Sequence, residues 1–97
     1  MEVFIPQRIV KTYSIAAAGS ISDTIDVNFE VSKVNVTAGA DVTATLTFGG
    51  KDYATSFDVV SDFGKPCRGD ISVSASNAGA AAETLTIEIL GCLQERR

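Results

Sequence analysis

Val42-Thr43-Ala44-Thr45-Leu46-Thr47-Phe48-Gly49-Gly50-Lys51-Asp52-Tyr53-Ala54-Thr55-Ser56-Phe57 is the stretch on which the fold turns. Apolar and hydroxyl side chains alternate from Val42 to Phe48, the period of a strand with one dry and one wet face. Gly49-Gly50 then supplies two residues free to take positive φ, as a tight hairpin turn requires. Such a turn predicts a register: Phe48 opposite Lys51, Leu46 opposite Tyr53, Ala44 opposite Thr55, Val42 opposite Phe57. In it the large apolar residues of both arms share one face, while Thr47 meets Asp52, Thr45 meets Ala54 and Thr43 meets Ser56. Turn chemistry and burial pattern point the same way.

The same period extends outward on both sides. From Ile21 to Val31 the odd positions are apolar except Asp23, and the even positions are polar, which predicts one strand. Parity then flips at Val34, Val36 and Ala38, so Ser32-Lys33 must hold a bulge, a bend or a break. A turn is expected at Thr37–Asp41 around Gly39, and a further strand places Ile71, Val73 and Ala75 inward against Ser72, Ser74 and Ser76. The last strand places Leu85, Ile87 and Ile89 inward, after a small-residue loop from Asn77 to Glu83. At the front, Ile9–Ala16 reads as a strand with Tyr13 and Ile15 inward, and Val3–Ile5 as a short edge strand ended by Pro6. The sum is an all-β chain, an antiparallel sandwich of six to eight strands, jelly-roll-like or Ig-like, with no significant helix and a single domain over residues 1–97.

Composition narrows the function. A net charge of -4 argues against binding a nucleic-acid backbone, and the only adjacent basic residues are Arg96 and Arg97. No apolar run approaches the length of a membrane-spanning helix. Glu2, Pro6, Arg8 and Lys11 spoil a secretory leader, so Met1 is expected to be the start of a chain made in the cytoplasm. The chain has no histidine, which removes the commonest general base and the usual nucleophile–histidine pairs; we expect no enzyme and no cofactor. Cys67, beside Arg68 and near Lys65, is the one nucleophile to weigh, and a structural thiol is the simpler reading. Cys67 and Cys92 either pair or stay free; a reducing site of synthesis favours free thiols.

The hairpin register sets Asp41 against Asp58, with Asp62 close by. These three carboxylates are the candidates for Ca²⁺, although no calcium-loop spacing supports them and no metal is assigned. Arg68-Gly69-Asp70 matches an integrin-binding tripeptide and Asn35-Val36-Thr37 a glycosylation acceptor; both are read as chance matches in strand or turn. The connection from Ser61 to Asp70 carries the residues most available to a ligand or partner: Phe63, Lys65 and Arg68. A carbohydrate-binding or adhesin-type module is the alternative function that this loop suggests.

The predicted outer faces are rich in Thr and Ser and poor in Lys and Glu, which suits contact with a neighbour. Ile89, Leu90, Cys92 and Leu93 put apolar residues on both parities of the last strand, so it is either central or covered by a second subunit. Segments such as Ser72-Val73-Ser74-Ala75-Ser76-Asn77-Ala78-Gly79 resemble those of small β-sandwich proteins of bacteriophage virions: capsid decoration, vertex, head-fibre or tail accessory proteins. That resemblance implies a homo-oligomer, a trimer or pentamer, docked on a capsid or tail protein in the virion. It transfers no functional residue.

Overall fold

The computed structural model describes the backbone of residues 2–96 and the side chains of residues 4–93; Met1, Arg97 and the Arg96 side chain lie outside the described residues. Its strands are β1 (Glu2–Ile15), β2 (Ser20–Ile25), β3 (Glu30–Ala38), β4 (Val42–Phe48), β5 (Lys51–Tyr53), β6 (Phe57–Asp58), β7 (Cys67–Arg68), β8 (Ile71–Asn77) and β9 (Glu83–Arg96). A short helix, α1 (Val59–Phe63), lies between β6 and β7. Six strands are long, and β5, β6 and β7 have only two or three residues each. No helix is long and apolar enough to cross a membrane.

The strands form two packed antiparallel sheets. One has the order β1-β9-β3-β6, with β7 also on β3; the other has the order β2-β8-β4-β5. Counting β6, α1 and β7 as one interrupted segment, the orders become 1-8-3-6 and 2-7-4-5 in chain sequence. That double Greek key is the jelly roll. The core between the sheets holds Phe29, Phe48, Leu46, Leu85, Ile87 and Ile89 among other residues with almost no exposed surface.

The hairpin register holds where the turn controls it: Phe48 pairs with Lys51, Thr47 with Asp52 and Leu46 with Tyr53. Gly49 and Gly50 have φ of 59° and 79°, the positive pair that a type I′ turn demands. Beyond Tyr53 the expected pairs Ala44–Thr55 and Val42–Phe57 do not form. The chain leaves this sheet, and Phe57 and Asp58 pair with Val34 and Lys33 of β3 in the other. One local and one long-range contact hold it there. Phe57 stacks on Tyr53 with centroids 3.7 Å apart, and the Ser56 hydroxyl accepts the Val36 N–H at 2.7 Å, closing part of the β3 edge.

The parity flip is a bulge with Ser32 as the extra residue, between the pairs Val31–Gly91 and Lys33–Leu90. Ser32 donates its hydroxyl to the Leu90 carbonyl at 3.2 Å. Gly91 is required opposite, because a Cβ there would strike the Glu30 carbonyl oxygen and come within 2.8 Å of the Phe29 ring. The single strand expected from Ile21 to Val31 is two strands, since residues 26–29 carry the chain from one sheet to the other. Pro6 does not end a strand either. β1 runs through it as a sheet edge, where one side of the backbone needs no donor.

Candidate interaction surface

The outer face of the β2-β8-β4 sheet is a grid of hydroxyls. Ser20, Ser76 and Thr43 form its first cross-strand row, then Ser22, Ser74 and Thr45. Thr24, Ser72 and Thr47 form the third, which reaches Asp52 on β5 through a 2.7 Å hydrogen bond from Thr47. Across these three strands no charged side chain stands on the outer face. Such a surface carries none of the Lys and Glu that keep sheets apart, and short hydroxyl side chains lose little entropy on contact.

The outer face of the other sheet is different. Arg8 and Glu88 pair at 2.7 Å, and Asn35 donates to the second Glu88 oxygen at 2.9 Å. Those two bonds, Asn35 first, hold the Glu88 carboxyl below its ordinary pKa. The Asn35 amide is therefore engaged in the sheet, and the acceptor triplet Asn35-Val36-Thr37 lies wholly within β3.

The residues singled out from the Ser61–Asp70 connection are not gathered into a ligand site. Phe63 is half-buried at the end of α1, edge-on to Phe48 with centroids 6.1 Å apart, and it lies against Gly49. Lys65 and Arg68 are exposed, and Arg68 stands opposite Glu30 in the β7–β3 register. Asp70 accepts the Val27 N–H at 3.1 Å, so the carboxylate of Arg68-Gly69-Asp70 serves the crossover between sheets.

The carboxylate cluster does not assemble, for the same reason that the distal hairpin pairs fail. Asp58 caps the N-terminus of α1 by accepting the Ser61 N–H at 3.1 Å, and Asp62 pairs with Lys51 at 3.6 Å. Asp41 lies at the other end of the sandwich, where its own N–H donates to Glu83. Among the described residues no three metal-ligating side chains come together.

Both cysteines are free. Cys67 pairs with the buried Val31 and Cys92 with Glu30, on opposite faces of one sheet and on opposite sides of β3, so they cannot reach each other. Cys67 packs against the core and donates its thiol to the Lys65 carbonyl at 3.5 Å.

Two features escaped the sequence reading. Asn77, placed there in a loop, ends β8 and is buried; its amide donates to the Ile15 and Ala81 carbonyls and accepts the Gly79 N–H. It thereby ties two loops to the sandwich end. Asp23, the one charge on the inward parity of β2, accepts the Tyr13 hydroxyl at 2.8 Å from the facing edge strand β1. Lys11, also at an inward register position, adds its charge nearby. Two charges at inward positions on facing edges were the signal for this closure, legible only once β1 and β2 are known to be edges.

The fold is therefore a β-sandwich of jelly-roll topology. Comparison of the chain with family models, with curated proteins and with solved structures finds no match.

Proposed function

We propose that this chain is a non-catalytic structural protein, a capsid-decoration or accessory component of a bacteriophage-type virion, acting through contacts with itself and with a capsid or tail protein. The observation that carries this reading is the uncharged hydroxyl grid on β2, β8 and β4. A rigid sheet presenting nine Ser and Thr side chains in register suits docking on a larger flat partner. Jelly rolls serve viral capsids and lectins alike, so topology supports the reading by analogy only. The lectin alternative loses its best residue, because Phe63 packs against Phe48 and Gly49 instead of offering a free ring face. The side chains weighed for chemistry are engaged in structure: Asp58 as a helix cap, Asp62 with Lys51, Asp70 with the Val27 N–H.

The test is incorporation. Particles purified on a density gradient from cells expressing the gene in its own phage context should contain the protein in fixed ratio to the major capsid protein. Ser74→Glu, at the centre of the grid, should leave the protein folded yet absent from particles. Recovery of wild-type protein only in the soluble fraction, or normal incorporation of Ser74→Glu, overturns the proposal.

A further inference from the structure

We infer that the outer face of the β1-β9-β3 sheet is the contact between two copies of this chain, packed face to face about a two-fold axis. β9 is the central strand, yet the chain covers only one of its sides: Ile89 is buried, while Leu90 and Cys92 remain half-exposed on the outer side. Beside them on β1 stand Phe4 and Val10, 61% and 44% exposed, two of the three most exposed large apolar residues among those described. The register aligns the four along one ribbon, with Pro6 opposite Cys92, Arg8 opposite Leu90 and Val10 opposite Glu88. Beyond Cys92 the ribbon has no third strand, because β3 begins at its partner Glu30. A two-stranded ribbon is marginal in water without a surface to pack on.

Charge and size point to a second copy as that surface. Among the described side chains of this face, β1, β9 and β3 carry Arg8 and Lys33 against Glu30 and Glu88, a balanced set on a chain of net charge -4. A neutral face meets its own copy without repulsion, whereas the acidic remainder would repel. Strands of 14, 14 and 9 residues, at ~3.4 Å per residue and ~4.8 Å spacing, give a planar footprint of roughly 600 Å². The hydroxyl grid sheet gives only roughly 400 Å² on the same terms. With side-chain relief added, the larger face approaches the ~800 Å² per partner of a stable interface. An axis running along the ribbon lays the Phe4–Val10 stripe of one copy on the same stripe of the other, an isologous contact that closes at two subunits.

This inference rests on the proposed self-assembly and adds its geometry, so its test must separate the two. Sedimentation equilibrium of the full chain should give twice the 10.2 kDa chain mass. Phe4→Asp and Val10→Glu, both at exposed positions, should each weaken dimerisation at least tenfold with unchanged circular dichroism. Ser74→Glu should leave the dimer intact. In a Cys67→Ser background, a short bis-maleimide should join Cys92 to Cys92 of the second copy. A trimer or pentamer, or a dimer broken by Ser74→Glu and untouched at Phe4 and Val10, overturns the two-fold face while leaving self-assembly standing. A monomer at every concentration overturns both.

Discussion

The two long sides of the sandwich are closed by different means. On one side β5, β6 and α1 bring four aromatic rings together: Phe63 edge-on to Phe48, and Tyr53 stacked on Phe57. The chain itself crosses between the sheets there, from Tyr53 to Phe57. On the other side the chain also crosses, through residues 16–19 from β1 to β2, but the side-chain link between these two facing edge strands is polar: Tyr13 to Asp23, with Lys11 nearby. The aromatic side draws most of its stability from buried area, although burial there pushes the Tyr53 hydroxyl up to about 12. A polar side draws it from one geometry, and the same charges discourage further strands from adding to the edge.

The sharpest way to break the comparison is Phe48→Ala. Phe48 is 1% exposed and carries the contact with Phe63, so the substitution should cost about 3–5 kcal/mol. Against a total stability of about 5–15 kcal/mol, a denaturant midpoint near the onset of unfolding is the expected result. A smaller loss should come from Gly49→Ala on the same side. Its φ of 59° disfavours any Cβ, and that Cβ would stand 3.2 Å from the Phe63 ring. We expect about 1–2 kcal/mol, read from urea midpoints at constant slope.

The contrast also explains what could be read from the chain alone. The alternation reports whether a side chain faces the core, and both sheets face the same core. It is therefore blind to which sheet a residue belongs to. Ile21 to Val31 keeps its parity, Asp23 apart, through the crossover at residues 26–29, and Phe57 keeps it through the departure after Tyr53. The bulge at Ser32 was legible because it reverses parity, and the Gly49-Gly50 turn because its chemistry is local. The Asp41–Asp58 proximity depended on register far from the turn and failed with it. The hydroxyl grid was half legible. Each strand showed its Ser and Thr face, but only the order β2-β8-β4 aligns those faces into rows.

On the polar side Tyr13→Phe should have a smaller effect than either substitution above, and one that depends on pH. The hydrogen bond from Tyr13, then that from the Thr24 backbone, hold the Asp23 carboxyl below its ordinary value. Its contribution is present above that ordinary value and is lost as pH falls through the lowered one. Burial, then the bond to Asp23, push the Tyr13 hydroxyl up to about 12. That contribution is complete below about pH 10 and fades as pH rises toward 12. The difference in Tm between wild type and Tyr13→Phe should therefore be level from pH 5 to 9 and narrow at both extremes. A difference that stays constant at both ends would remove the ionic character assigned to this side.

Lys51→Ala should have the least effect, although it removes an ion pair and a cation–π contact together. Lys51 lies 3.6 Å from Asp62 and 5.6 Å from the Tyr53 ring centroid, on the side that the aromatic residues close. Its side chain is 55% exposed, so water and salt screen both contacts. The expected change is within about 0.5 kcal/mol and shrinks further in 1 M salt. The two polar pairs thus differ by position more than by chemistry. Lys51–Asp62 lies over a seam already closed by aromatic rings, whereas Tyr13–Asp23 spans one packed with aliphatic side chains such as Ile15 and Ile25. If Lys51→Ala destabilises as much as Tyr13→Phe at neutral pH, the aromatic side depends on its surface charges as well, and the distinction between the two sides collapses.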